Sequence, residues 1–201
     1  MKNSSVNWGR VLVILLFLVG LPLGSWLFLQ QGVAYRKASI AELKDLGSLP
    51  PLDCTDQKGR PLRTEDLQGK VSLLTRWPED STLHPALTER LDFIHHLFDE
   101  KQDLLLLTFL PPETPPDTWA QNLDITDPHQ WRALSCQSTP TPLLDTLRKK
   151  PLQALLVDPE LHLRRHYDIE KVEEIYRLVE HVEILLPEEK PRVETRPSPQ
   201  R

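Results

Sequence analysis

The stretch from Val71 to Leu91 constrains the fold more than any other part of the sequence. Val71 to Thr75 is a short, uncharged and mostly apolar run, which is typical of a strand buried on both faces. Trp77-Pro78 ends that run, since proline has no N–H to give to a sheet. Beyond it, apolar residues recur every three or four positions, as on one face of a helix: Leu83, Leu87, Leu91, Ile94 and Phe98. The stretch therefore predicts a strand, a sharp loop and a helix.

Similar patterns predict the other elements of one α/β domain. Buried strands are expected at Asp103 to Phe109 and Ala154 to Val157, and a hairpin at Leu52 to Leu62 turns at Lys58-Gly59. Short helices are expected over Pro116 to Leu123 and Thr141 to Lys149. A last helix is predicted to be capped by Asp168 and to bury one apolar side, formed by Ile169, Val172, Ile175, Tyr176, Val179 and Val182. This order predicts a central sheet with flanking helices.

The amino-terminal part has the composition of a membrane anchor. Val11 to Leu29 is a run of 19 residues without a charge, and a helix of that length spans about 28 Å, roughly one hydrocarbon core. A cleaved signal peptide is the alternative, but the run is long for one and no A-x-A-like site follows. We expect residues 1–10 to form a short cytoplasmic tail, 11–29 a transmembrane helix and 30–48 a tether. The domain is expected over 49–186, and the proline-rich, charged residues 187–201 should be disordered.

Charge and cysteine content exclude several classes of protein. The net charge of the 201-residue chain is −5, so no basic surface for nucleic acid is indicated. Cys54 and Cys136 are its two cysteines, which excludes a cysteine-rich zinc site or a disulfide scaffold. Cys54 lies at an inward position of its strand, so a buried thiol is natural. A disulfide with Cys136 is the other interpretation, favoured if the domain lies outside the cytoplasm.

Three short motifs carry a family resemblance: Trp77-Pro78-Glu79-Asp80-Ser81, Asp66-Leu67-Gln68-Gly69-Lys70 and Asp158-Pro159. Together they resemble motifs of the Sco/SenC copper chaperones. Trp77-Pro78-Glu79-Asp80-Ser81 resembles the Cys-Pro-x-x-Cys-Pro loop of that family, and Asp66-Leu67-Gln68-Gly69-Lys70 its D-L-x-G-K entry to the first central strand. Asp158-Pro159 matches the L-I-D-P turn, with Leu161 in place of a usual glycine, which predicts a wider turn. The resemblance implies a thioredoxin-like sandwich over about Leu49 to Leu186, with the domain on the periplasmic side of the inner membrane. It also implies a protein partner in the assembly of cytochrome oxidase.

The metal ligands of that family are replaced in this chain. Laid over the motif, Trp77 and Ser81 stand at the two cysteine positions, and Lys150 stands where the family has a histidine. An indole, a hydroxyl and an ammonium do not provide the soft sulfur or imidazole donors that Cu(I) prefers. We therefore expect no metal, no cofactor and no enzymatic activity at this degenerate site.

Three classes of function remain open. The first is a non-catalytic accessory factor in cytochrome oxidase assembly, held at the membrane by its anchor. The second is a copper-binding or thiol-redox protein with a relocated site that uses Cys54 and Cys136 or His84, the histidine nearest the loop. The third is a structural, membrane-tethered interaction module. The first depends on the family resemblance, since a fold alone does not fix a function.

Overall fold

The computed structural model describes residues 8–9, 12, 16–123, 125, 127–136, 141–149 and 152–187. Lys150 and the predicted disordered tail from Glu188 onward lie outside this set. The chain divides into two compact units, residues 1–42 and 43–201.

The first unit is helical. A π-helical turn, Leu16–Gly20, leads into helix α1, Leu21–Glu42. The helix from Leu16 to Glu42 is long and apolar enough to span a membrane. It continues past Leu29, where the sequence predicts the anchor to end, because residues 30–42 contain no proline and mostly good helix formers. Much of the predicted tether is therefore helical.

The second unit is built on a seven-stranded mixed sheet. In chain order its strands are β1 (Asp53–Asp56), β2 (Pro61–Arg63), β3 (Val71–Arg76), β4 (Leu104–Phe109), β5 (Trp131–Cys136), β6 (Gln153–Val157) and β7 (Leu163–Asp168). Their order across the sheet is β2-β1-β5-β4-β3-β6-β7. Strand β4 runs parallel to both β3 and β5, whereas β6 is antiparallel to β3 and to β7, and β1 is antiparallel to β5 and to β2.

Helices cover both faces of this sheet. They are α2 (His84–Leu97), α3 (Pro116–Asn122), α4 (Thr141–Arg148) and α5 (Val172–Leu185). One buried cluster joins the sheet to α2, α3 and α5, and a second joins the opposite face to α4 and the β1–β2 hairpin. Every residue of β4 is buried, as are Val71 to Thr75 of β3. Strands covered on both faces need apolar residues at successive positions, which is why these runs do not alternate.

The domain begins earlier than the sequence indicates. The Leu46 N–H donates to the Leu163 carbonyl at 2.8 Å, and the Leu163 N–H donates to the Gly47 carbonyl at 2.8 Å. Ser48 forms a bridge with His162. Residues 46–48, which the sequence places in the tether, thus add a short stretch of backbone pairing to the edge of β7 and leave less of that edge open.

Two predictions at the end of the domain are wrong. Helix α5 begins at Val172 and not at Ile169, because Asp168 is still in β7 and the Ile169 N–H continues the sheet by donating to the Leu152 carbonyl at 3.1 Å. Its inward face is formed by Ile175, Leu178, His181 and Val182, whereas Val172 and Tyr176 are exposed. The turn at Asp158 is also not widened by Leu161, whose N–H donates to the Asp158 carbonyl at 3.0 Å while its φ is 68°.

Candidate functional site

The loop between β3 and α2 occupies the carboxyl-terminal end of the parallel strands. The Trp77 N–H donates to the Phe109 carbonyl at 2.9 Å, so the backbone pairing of β3 with β4 continues one residue beyond the strand. Pro78 follows and cannot donate, which ends the pairing there. A short 3₁₀ turn, Ser81–Leu83, then leads directly into α2. The sequence thus predicts this strand–loop–helix junction correctly.

Trp77 points into the protein. Its side chain is only 6% exposed, and its ring lies 4.4 Å from the His84 ring and 5.0 Å from Trp119, which it meets edge to face. Trp119 in turn lies 6.1 Å from Trp131. These four side chains form an aromatic cluster between the loop, α2, α3 and β5. Aromatic rings bury large areas and prefer such tilted arrangements, so the cluster fixes the indole in place.

His84 fastens the loop to the first turn of α2. Its Nε2 donates to the Pro78 carbonyl at 2.9 Å. Asp80 caps the 3₁₀ turn, since its Oδ1 accepts from the Thr82 hydroxyl at 2.7 Å and from the Thr82 N–H at 2.9 Å. Those two hydrogen bonds lower the pKa of the exposed Asp80 carboxyl, with a smaller contribution from His84. The loop is held by side-chain and backbone bonds of its own residues.

The side chains of this loop do not fit a Cu(I) ion. Trp77 presents an indole that is packed against other rings, and Ser81 presents an exposed hydroxyl. Lys150, the third position indicated by the resemblance, lies outside the described residues. Within the part of the chain that the structure describes, no three histidine, cysteine or acidic side chains are grouped so that they could hold a metal ion. Cu(I) requires soft sulfur or imidazole donors, which the described loop residues do not offer together.

The two cysteines are joined to each other. Cys54 of β1 and Cys136 of β5 lie directly opposite in the antiparallel pair, with their Cα atoms 4.0 Å apart, and form a disulfide. The sequence leaves this pairing open, because the register of β1 on β5 depends on contacts between residues 82 positions apart. Neither sulfur is therefore a free thiolate that could combine with His84 in the relocated site considered above.

Cys136 also lines a cleft beside the loop. The cleft has a volume of about 480 Å³ and lies at the carboxyl ends of β3, β4 and β5. Cys54 is only 3% exposed, whereas Cys136 is partly exposed at the cleft wall. Apolar residues of β4, β5 and the loop after β4 form much of the remaining wall: Phe109, Leu110, Pro111, Pro112 and Leu134. The charged and polar residues of the wall are Arg76, Glu79, Glu113 and Ser135.

Comparisons with known proteins find similar structures. No family model and no curated protein sequence match the chain. Among solved structures it is similar to a SCO1/SenC family lipoprotein from Bacillus anthracis, with a TM-score of 0.57 and 19% identity over 71% of this chain and 97% of that one. The chain shares the fold of the Sco/SenC proteins.

Two further Sco structures support that statement. BsSco, described as a member of the Sco family of cytochrome c oxidase assembly proteins, gives a TM-score of 0.57 at 15% identity over 71% of this chain and 96% of its own. Bradyrhizobium japonicum ScoI, solved with copper bound, gives a TM-score of 0.51 at 15% identity over 70% of this chain and all of its own. The predicted thioredoxin-like fold and the Sco/SenC resemblance are thus confirmed at the level of the fold.

The sequence did not identify the partners that bury Trp77. Trp119 lies on the seven-residue helix α3 and Trp131 begins β5, and neither has a local pattern that points to residue 77. The only sequence signal is composition. Three of the five tryptophans follow the anchor and lie in segments that meet at one side of the sheet.

Proposed function

We propose that this protein is a membrane-anchored, Sco-like accessory factor in cytochrome oxidase assembly that docks a protein partner without metal or redox chemistry in its Trp77–Ser81 loop. One observation supports it most. At the loop position where the resemblance places a copper-binding cysteine, the chain has an indole that is buried in an aromatic cluster. A buried indole stabilises the loop, and a loop stabilised in this way can still present a surface to a partner.

We place the domain on the periplasmic side of the inner membrane. The helix from Leu16 to Glu42 is able to cross a bilayer. The Cys54–Cys136 disulfide favours an oxidising compartment, since cytosolic reductants keep most thiols reduced. The helix supports attachment to the membrane, and the disulfide supports the periplasmic side of it.

Copper titration tests the absence of the metal site. The full-length protein in detergent is titrated with Cu(I) in the presence of a competing chelator. We expect no stoichiometric binding by the unmodified protein. The triple variant Trp77→Cys, Ser81→Cys and Lys150→His should bind one Cu(I), and the double variant that keeps Lys150 serves as the control with two thiolates and no imidazole. Tight binding of one copper by the unmodified protein would overturn the proposal.

A deletion strain tests the role in oxidase assembly. Loss of the protein should lower the amount of cytochrome oxidase that contains its copper centre, measured from the copper absorption of isolated membranes. The unmodified gene should restore this amount, and so should a Ser81→Ala variant, because the hydroxyl has no chemical role in the proposal. Normal oxidase in the deletion strain would exclude this function.

A second candidate function follows from the position of Cys136. A partner thiolate that enters the cleft could attack the Cys136 sulfur, break the disulfide and release the Cys54 thiolate. A second partner thiol would then resolve the mixed disulfide, so that the partner dithiol becomes oxidised and Cys54 and Cys136 take up its two electrons and two protons. This candidate ranks second because Cys54 is 3% exposed, and an apolar site disfavours the thiolate that must leave. Oxidation of a dithiol peptide by the full-length protein, lost in Cys136→Ser, would support it.

A further inference from the structure

A second cavity, lined by charged residues, lies at the opposite end of the parallel strands from the Trp77–Ser81 loop. It has a volume of about 390 Å³ and opens at the amino-terminal ends of the three parallel strands. Lys70 immediately precedes β3, Lys101 lies shortly before β4, and Arg132 is the second residue of β5. His129, Asp99 and Asp127 also line it. The Trp77–Ser81 loop follows the carboxyl end of β3, so this cavity is separate from the loop.

Arg132 carries a charge that its surroundings compensate poorly. Its Nε donates to the His129 carbonyl at 3.0 Å. Among the residues that the structure describes, no carboxylate forms an ion pair with the Arg132 guanidinium or the Lys70 ammonium. Burial first, and then repulsion from Arg60, lowers the pKa of Arg132, although the charges of Asp56, Asp66 and Asp127 act in the other direction with smaller effect. A partly buried guanidinium in this situation is stabilised by an anion.

Neither of the two described carboxylates at the cavity, Asp99 and Asp127, forms an ion pair with Arg132. Asp127 uses Oδ1 to accept from the His129 N–H at 2.8 Å, which closes a turn. A hydrogen bond to the Asp92 backbone and the Asp92 charge raise the pKa of His96. The exposed Asp99 adds a smaller contribution in the same direction. Burial and Arg60 lower the pKa of Arg132 more than the Asp127 charge raises it, so positive charge is left for an anion to balance.

The cavity wall is held rigidly. The Gln57 side chain accepts from the Ala133 N–H at 3.0 Å and donates to the Trp131 carbonyl at 2.9 Å, so it fastens the backbone on both sides of Arg132. Gln130 is buried and donates to the Phe98 and Lys101 carbonyls at 2.7 and 3.0 Å. A guanidinium on such a preorganised strand loses little freedom when it binds a ligand.

We propose that this cavity binds a small oxyanion, either a phosphate or a carboxylate, through the Arg132 guanidinium and the Lys70 ammonium. The planar guanidinium donates in a fork that matches two oxygens of such an anion, and the ammonium adds a second positive charge. The cavity is large enough for a small organic phosphate or dicarboxylate as well as for the inorganic ion. This site does not depend on the function proposed above.

Equilibrium dialysis of the full-length protein in detergent tests the site, with labelled inorganic phosphate in one arm and labelled succinate in the other. We expect saturable binding of one anion by the unmodified protein in at least one arm. Arg132→Gln should weaken binding at least tenfold, since it removes a charge-assisted hydrogen bond. Lys70→Gln should weaken it less, and Lys58→Gln, which alters an exposed lysine outside the cavity, should leave it unchanged.

A thermal-shift measurement keeps the test independent of folding defects. A ligand that binds the native state raises its melting temperature, so phosphate or succinate should stabilise the unmodified protein and Lys58→Gln alike. The shift should be absent in Arg132→Gln even if that variant melts at a lower temperature. Absence of saturable binding in both arms overturns the proposal, and so does binding that Arg132→Gln and Lys70→Gln leave unchanged.

Discussion

Two buried aspartates organise the turns of the domain by the same arrangement of bonds. Asp56 accepts from the N–H groups of residues 58 and 60 and from the Arg60 guanidinium, all at 2.8–2.9 Å. Asp158 accepts from the N–H groups of residues 160 and 162 and from the Arg164 guanidinium, at 2.6–3.0 Å. In each case the carboxylate bonds the backbone two and four residues ahead. Several such donors around one buried carboxylate hold the backbone of the turn in place.

Asp56→Asn should destabilise the domain in a pH-dependent manner. Burial raises the pKa of Asp56, but the hydrogen bonds from Arg60 and Lys58 outweigh it and hold the pKa below its usual 3.8. A depressed pKa in the folded state contributes stability that is present above the unfolded value and is lost as the pH falls through the folded one. We expect a loss of about 1.5–3 kcal/mol at neutral pH, the value of hydrogen bonds to a charged group.

The measurement is urea unfolding followed by tryptophan fluorescence between neutral pH and pH 3. The difference between the unmodified protein and Asp56→Asn should shrink once the pH falls below 3.8, the ordinary pKa of the carboxyl group. Asp53→Asn, which alters an exposed carboxylate in the same strand, is the control. A difference in unfolding free energy that does not change with pH would contradict the role assigned to the Asp56 charge.

At the scale of elements, two long-range contacts hold the parts of the domain together. The aromatic cluster joins the loop after β3 to α2, α3 and β5 on one face of the sheet. The Cys54–Cys136 disulfide joins the β1–β2 hairpin to β5. The hairpin is also held by backbone pairing of short strands, by the side chains that it contributes to the second buried cluster and by the hydrogen bonds of Gln57 to the backbone of β5.

Trp77→Ala should destabilise the domain by about 3–5 kcal/mol, since it removes a buried indole and leaves a cavity beside Trp119. Chemical unfolding followed by circular dichroism measures this loss. Trp77→Phe should retain part of the contact and lose less. Tyr176→Ala is the matched control, because Tyr176 is 65% exposed and a surface change of this kind has little effect. A Trp77→Ala domain as stable as the Tyr176→Ala domain would show that the cluster contributes little.

Replacing Cys54 and Cys136 together by alanine should lower the unfolding free energy by about 2–5 kcal/mol. The physical reason is the loop that the bond closes in the unfolded chain, since the two residues are separated by 82 positions. The unmodified protein treated with a thiol reductant should fall to the stability of the double variant, and the reductant should not affect the variant. Equal stability of the oxidised and reduced forms would mean that the disulfide does not stabilise the fold.

At the scale of the whole molecule, the chain combines a helix able to span a membrane with a separate α/β domain. The two units have different surfaces. The first exposes apolar side chains along its length, whereas the second buries most of its leucines between a sheet and helices. An exposed apolar surface of that extent is consistent with the membrane anchor proposed above.

Protease treatment tests the side of the membrane on which the domain lies. Protease added to the outer face of intact spheroplasts should digest the domain, because the proposed topology places it in the periplasm. Inverted membrane vesicles, which enclose that face, should protect it until detergent is added. Protection in spheroplasts together with digestion in inverted vesicles would reverse the topology, while leaving the helix as the anchor.

Features that depend on neighbouring residues could be predicted from the sequence. The buried strands β3 and β4, the junction at Trp77-Pro78 and helix α2 follow from apolar runs, a proline and a helical period, all of which are local. The apolar amino-terminal helix follows in the same way from the composition of one segment. The order of these elements, with the Sco/SenC motifs, was enough to predict the class of fold.

Contacts between distant residues could not be predicted in this way and are known from the folded protein. The register of β1 on β5 places Cys54 opposite Cys136, and the packing of α3 and β5 brings Trp119 and Trp131 to the side of the sheet that buries Trp77. The parallel alignment of β3 and β5 with β4 places Lys70 and Arg132 in the wall of one cavity, at the amino-terminal ends of these strands. The start of α5 was mispredicted for this reason, because Ile169 could have begun a helix but its N–H bonds to Leu152 across the sheet. Contacts of this kind depend on global packing, which overrides local preference.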